Sequence, residues 1–432
     1  MNGASIISLV FVASILAGLP VAIALGLSAL GGLYAAGMPI EYLAQNAYSS
    51  LDSFTVIAIP MFILAGALME RGELTDRLID LSRAVVGRSP GGLGTVTVLA
   101  CTLFAAISGS GPATTAAIGS IMIPAMLRDK YGRDFACGVS ASAGGIGVVI
   151  PPSIPMIIYG VTSETSITAL FIAGIVPGLL LALALYLTSK VVARRRNYGS
   201  PHVEGPRLQL ITKAAIRAKW SLLAPAVILG GIYTGIFTVT EASVAGVLYA
   251  LVIGLFVHRS LSKTDIVDAL VATARISGTV LIVLATGLVF GRVLALYQLP
   301  QNVSHWLIET FTDRTALILV IIALLLFIGM WMETITQIVI LTPLLVPAVV
   351  AKGMDPIQFG VVFVIACEIG FQTPPLGVNL FVAGEIANAK IEEVTRGVIP
   401  FVVAGVIVLV LVAFIPELTL WLPRTLGYIK GG

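Results

Sequence analysis

Residues 108–115 read Ser-Gly-Ser-Gly-Pro-Ala-Thr-Thr and lie between two apolar segments, 95–107 and 118–126. Glycine adds backbone freedom and proline removes a donor, so this octet stops a helix. Its setting makes the interruption consequential. The 432 residues are 58% hydrophobic and 11% charged, with a mean hydropathy of +1.03, which is the profile of a polytopic helical membrane protein. In hydrocarbon a broken helix survives only where protein or a water-filled cavity satisfies its backbone. The octet therefore reads as the tip of a helical hairpin that enters the membrane and turns back, or as a small-residue packing patch between helices. A tip of this kind offers carbonyls, hydroxyls and helix N-termini to a small ion or anion.

The remaining composition narrows the class. The apolar runs are long and do not alternate, which excludes a β-barrel. Cys101, Cys137 and Cys367 all fall in apolar segments and predict free thiols. No Lys or Arg precedes the first apolar run, 6–25, so it reads as a retained helix rather than a signal peptide. Further apolar runs follow at 27–38 and 55–69. In 70–88, Arg71, Asp76, Arg77, Asp80, Arg83 and Arg88 alternate with Leu74, Leu78, Leu81 and Val85 at helical spacing, which predicts a helix lying in the interface. The hairpin spans about 94–126. Segment 135–160 is broken at Gly144–Gly147 and again at Pro151-Pro152-Ser153-Ile154-Pro155, and 169–192 closes the first half.

The second half repeats the first. At an offset of 223 residues Pro124-Ala125 falls on Pro347-Ala348, Gly147 on Gly370, Pro151-Pro152 on Pro374-Pro375, and Gly174-Ile-Val-Pro177 on Gly397-Val-Ile-Pro400. Gly66 and Leu74 match Gly291 and Leu299 at 225. The repeat predicts a second hairpin over 316–350, with its tip at 330–337, and a second broken helix over 359–383, interrupted at 370–379. Residues 1–192 form the first repeat, 193–218 a cytoplasmic linker and 219–432 the second repeat. The basic stretches 71–88, 128–133, 190–219 and 258–263 belong in the cytoplasm by the positive-inside rule. Three spans before Arg71 then place the N-terminus outside. The second half starts inside, so its spans run opposite to those of the first. Charge placement thus predicts an inverted repeat independently of the sequence match.

Ionisable residues within apolar segments are candidate functional groups: Glu333, Glu368 and Glu385, with Glu241, Arg275 and Arg292 behind them. His202, His258 and His305 show no metal-ligand spacing, and no P-loop pattern is present. An intramembrane enzyme would need paired Asp residues, or Ser with His, at the two broken centres, and neither is found there.

Taken together, the 108–115 tip, the Ile150-Pro-Pro-Ser-Ile-Pro155 break and the Phe371-Gln-Thr-Pro-Pro-Leu-Gly-Val-Asn379 break resemble the large membrane subunit of tripartite ATP-independent periplasmic (TRAP) transporters, over essentially the whole chain. The resemblance implies an all-α polytopic protein with an inverted repeat, two re-entrant hairpins and two broken helices. It implies sodium-coupled import of an organic acid across the bacterial inner membrane by an elevator motion, without catalysis and without a bound cofactor. It also implies two partners, a small membrane subunit on a separate chain and a periplasmic substrate-binding protein. The stretch 71–88 and its counterpart 292–314 become arm helices around the moving domain, and nucleic acid has no part. A stand-alone sodium:dicarboxylate symporter would share the hairpins without the partners.

Site residues follow from combining that implication with backbone chemistry. A hard cation takes oxygen ligands, which broken helices supply as free carbonyls. Two sodium sites related by the repeat are expected, one at Ser108 with Gly144–Gly147 and one at Gly329 with Gly370 and Thr373, tuned by Glu333. With few cations nearby, the substrate carboxylate is expected at helix N-termini, hydroxyls and amides: Ser110, Thr114, Thr115, Ser153, Gln372 and Asn379. Residues 41–53 and 298–313 read as outward loops that meet the binding protein.

Overall fold

The computed structural model describes residues 3–86, 91–199, 206–375 and 377–429, and in these residues the regular structure is all helical. Arg88 and His202 lie outside the described residues, as does Leu376 within the second break.

The chain opens with α1 (Gly3–Leu16), α2 (Val21–Ala35), α3 (Glu41–Leu51) and α4 (Ala58–Arg71). The apolar run 6–25 is therefore not one helix. Gly18 takes a left-handed φ of 75° and Pro20 stands immediately before α2, so the chain turns between Leu16 and Val21. Nor is 41–53 a loop. α3 carries Glu41 in its first turn, and Tyr42, Leu43 and Ala47 pack onto a small apolar cluster that includes Leu33 and Phe290.

Next come α5 (Leu74–Val86), a hairpin of α6 (Gly92–Ser108) and α7 (Gly111–Arg128), a broken helix of α8 (Arg133–Gly144) and α9 (Ile154–Ser163), and α10 (Ile167–Arg195). Then follow α11 (Arg207–Tyr233), α12 (Val239–Val252), which ends in a π-helical turn, and α13 (Lys263–Leu296). The described part of the expected 193–218 linker, 193–199 and 206–218, is thus largely helical. α11 begins at Arg207 and is tied to α5 by Ser221 Oγ, which donates to the Leu74 carbonyl at 3.0 Å.

The remaining helices are α14 (Leu299–Thr310), a hairpin of α15 (Arg314–Gly329) and α16 (Thr334–Ala351), a broken helix of α17 (Pro356–Phe371) and α18 (Val378–Ala387), α19 (Ile391–Phe414) and α20 (Glu417–Thr425). Residues 298–313 are mainly α14 rather than a loop. The second tip is shorter than expected, because α16 already starts at Thr334 and only Met330–Glu333 form the turn.

The same succession of elements occurs twice. Helices α5 to α10 begin at 74, 92, 111, 133, 154 and 167, and α14 to α19 begin at 299, 314, 334, 356, 378 and 391. Left-handed residues mark equivalent joints: Glu73 and Gln298 before α5 and α14, Lys130 and Gly353 after the hairpins, and Glu164 and Asn388 after the broken helices.

α8 and α17 form the centre. Every residue of α17 beyond Pro356 is buried, as is every residue of α8 from Phe135 onward, which is why both are apolar or small all round apart from Gln358 and Glu368 of α17. α8 packs on α19, α7, α18 and α6. Where α8 crosses α19, a side chain on Gly138 would strike the backbone of Gly397, so only glycine permits that approach. Outside this core, α13 packs on α2, α3, α4 and α16, while α12 packs on α4 and α11 on α5. Among the described residues six helices, α10 to α13, α16 and α19, are long and apolar enough to cross a membrane, α12 together with its π-helical turn. Many large apolar side chains of α1, α11 and α13 face outward, as helices bathed in lipid require.

Candidate functional site

Both breaks in the first half obey one local rule. Ser110-Gly-Pro112 and Ser153-Ile-Pro155 place serine at the N-cap and proline in the first turn of a new helix. The Ser110 side chain accepts from Ala113 N at 3.5 Å, and Ser153 accepts from Met156 N at 3.3 Å. Such a cap contributes about 0.5–2 kcal/mol to its helix. Gly109 adopts a left-handed φ of 61° and ends α6, and its carbonyl accepts from Ile154 N at 3.4 Å. The hairpin tip is therefore joined to the break.

The sequence-predicted residues of the first sodium site are brought together. Ser108 Oγ lies 2.6 Å from Thr114 Oγ1, which itself donates to the Ser110 carbonyl at 2.8 Å. A side chain on Gly147 would stand 2.8 Å from that same carbonyl, and one on Gly144 would strike Thr115 Oγ1. In the second half, Gly329 and Gly370 meet backbone to backbone: a Cβ on Gly370 would lie 2.8 Å from Gly329 Cα. Thr373 Oγ1 donates back to the Ile369 carbonyl at 2.9 Å.

A cleft of about 530 Å³ opens between the two hairpin tips, lined by Ser110, Gly111, Pro112, Ile154, Pro155, Glu333, Thr334, Ile335, Glu368 and Phe371 among others. The N-termini of α7, α9 and α16 all open onto it. An adjoining cleft of about 1100 Å³ shares Ile63, Ser110, Ile154 and Ile276, and runs along α4 and α13 to Glu70 and Arg71. Of the expected substrate ligands, Ser110 lines both clefts. Thr114, Thr115, Ser153 and Asn379 are fully buried, and Gln372 is nearly so. The Ser153 hydroxyl is already used in donating to the Val148 carbonyl at 2.5 Å.

The ionisable candidates separate by environment. Glu385, Arg275 and Arg292 are exposed, with Arg292 paired to the Asn46 side chain, and Glu241 closes a capping box with Thr238. Glu333 is exposed and lines the cleft. Glu368 is 2% exposed, and its Oε1 accepts from Asn379 Nδ2 at 2.7 Å and Gln372 Nε2 at 3.2 Å. The four-residue step from Glu368 to Gln372 is visible as one helix face, but the partnership with Asn379 across the break is not. Cys367 Sγ donates to Gln337 Oε1 at 2.9 Å, a second buried polar contact that sequence reasoning missed.

Two hairpin tips and two broken helices meeting at one cleft, in a helical membrane protein, define a transporter site of the discontinuous-helix type. Residues 8–418 match the family described as "Tripartite ATP-independent periplasmic transporter, DctM component", and the chain belongs to that family. It is 44% identical over 412 residues to the isethionate TRAP transporter permease protein DctMQ of Oleidesulfovibrio alaskensis, covering 95% of this chain but 65% of that longer protein. It is 37% identical over 431 residues to the C4-dicarboxylate TRAP transporter large permease protein DctM of Rhodobacter capsulatus, covering 96% of this chain and 98% of the relative. The fold is also that of the Alcanivorax borkumensis YdaH transporter, with a TM-score of 0.64 at 17% identity over 88% of this chain and 90% of the other.

Proposed function

We propose that this chain is the transport subunit of a sodium-coupled TRAP system in the bacterial inner membrane, importing an organic carboxylate delivered by a periplasmic binding protein. One observation carries the substrate reading: three helix N-termini open on a cleft between the hairpin tips. Each N-terminus directs the positive end of a helix dipole at the cleft, and the first turn of α16, which no side chain caps, adds N–H groups without an intrahelical acceptor, which suits an anion. The names of the two relatives both point to small organic anions; C4-dicarboxylate supports a carboxylate, whereas isethionate is a sulfonate and supports only the anionic character.

Sodium is assigned to the paired junctions, Ser108 with Gly144 and Gly147, and Gly329 with Gly370 and Thr373. Two close approaches at equivalent joints support this: Gly329 against Gly370 backbone to backbone, and Gly147 against Thr114 and the Ser110 carbonyl, with Thr114 in turn bonded to Ser108. Ser110 contacts the substrate directly, while Thr114, Ser153, Gln372 and Asn379 hold surrounding groups through their hydrogen bonds and Thr115 is buried and lines neither cleft. The basic stretches put Arg71 at the cytoplasmic face and the N-terminus in the periplasm. The cleft running to Glu70 and Arg71 then opens inward. The doubled succession of elements supports an inverted repeat and an elevator motion in which both hairpins and both broken helices move against α1, α2, α4 and α11 to α13, with α5 and α14 as arms. Residues 41–53 and 298–313 face the periplasm and dock the binding protein, and the small subunit is a separate chain.

Reconstituted vesicles test this reading. The chain with its small subunit should take up substrate only when the loaded binding protein is added. Full-rate uptake of free substrate by this chain alone would instead make it a stand-alone sodium:dicarboxylate symporter.

A further inference from the structure

Glu368 belongs to the second half of the chain, yet it sits on glycines of the first. A Cβ on Gly111, in the first turn of α7, would stand 2.8 Å from Glu368 Oε1, and a Cβ on Gly145 would stand 2.9 Å from it. The same Cβ on Gly111 would stand 3.3 Å from Asn379 Nδ2. Thr115 lies one helical turn beyond Gly111 on the same face of α7, with its Oγ1 against Gly144. Glu368, Asn379 and Thr115 therefore gather along the Gly111 face of α7.

The hydrogen bonds around this carboxylate are incomplete in a particular way. Asn379 and Gln372 turn their amide nitrogens to Oε1. Among the described residues, that orientation leaves Asn379 Oδ1, fully buried, as an acceptor without a donor. Thr115 Oγ1, also fully buried, has no partner among them either. None of the described residues lining the cleft beside Glu368 is Lys or Arg, and the other acid there, Glu333, adds like charge. A buried carboxylate beside an orphaned carbonyl oxygen and an orphaned hydroxyl is an oxygen-rich, cation-poor environment, which a hard cation completes and a further acceptor does not.

We infer that Glu368, Asn379 Oδ1 and Thr115 Oγ1 are ligands of a third monovalent-cation seat, between the two halves of the chain and next to the substrate cleft. One carboxylate matches a single positive charge. The seat differs from both proposed sodium sites in having a formally charged ligand and in drawing side chains from both halves. Its occupancy lowers the negative potential that an anionic substrate meets on entering the cleft. This rests on the sodium-coupled reading above.

Thermal unfolding of the purified chain with its small subunit, in sodium chloride against choline chloride at constant ionic strength, tests it without transport, because a cation that binds the folded state raises its stability. Sodium should stabilise the wild type. Glu368→Gln should raise the half-saturating sodium concentration roughly ten-fold or more, the scale of a lost metal-site interaction. Thr115→Val should shift it in the same direction, and this variant is the safeguard if Glu368→Gln folds poorly. Glu385→Gln, on the exposed side of α18, should leave it unchanged. A wild-type sodium response that both site variants reproduce overturns the third seat alone. A wild type indifferent to sodium overturns the sodium reading and this seat together.

Discussion

Gly370→Val is expected to abolish sodium-driven uptake, while Thr373→Ser leaves most of it. A Cβ at Gly370 would stand 2.7 Å from the Leu326 carbonyl and 2.8 Å from Gly329 Cα. A branched side chain there must push α15 off α17 or turn the carbonyls at the junction, and overpacking of this kind is not relieved by a flexible neighbour. Thr373, by contrast, donates only to its own helix, and serine keeps the hydroxyl. Sodium-activation curves at matched expression check this. Unchanged activation in Gly370→Val would remove the α15–α17 junction from the ion site.

Tying the first hairpin to α13 should arrest transport. Ala113 on α7 and Ala272 on α13 line the cleft that runs to Arg71. In an elevator the first moves and the second does not. Cysteines at both positions, bridged by a flexible bifunctional thiol reagent, should lower uptake roughly ten-fold or more, because the conformational step limits turnover. A cleavable bridge should restore it. The native Cys101, Cys137 and Cys367 are buried, which favours reaction at the introduced pair. Bridged protein that transports at the unbridged rate would mean that access alternates without movement of α7 past α13.

How much of this was visible in the chain alone depends on the kind of signal. Paired prolines and the two Ser-x-Pro steps marked the breaks correctly, because a missing N–H and a capping hydroxyl act locally. The second hairpin and second broken helix followed from repetition. The turn at Gly18–Pro20 was hidden because one glycine and one proline inside an apolar run do not alter its hydropathy. α3 was hidden for the opposite reason: its polar composition resembles a loop, and its helical form comes from packing on α13. At the site, the tip residues were readable from composition. The burial of Ser153 and Asn379 and the seating of Glu368 on Gly111 and Gly145 were not, since these contacts join residues more than two hundred positions apart or depend on which way a side chain turns.

Sodium moving through a chain that receives its substrate from a partner is the proposed driving force for import. The most direct measurement is uptake into vesicles holding this chain and its small subunit, with loaded binding protein outside, under an imposed sodium gradient and then under a proton gradient with sodium absent. Accumulation with sodium and none with protons is the predicted result. Equal accumulation under the proton gradient alone would contradict it.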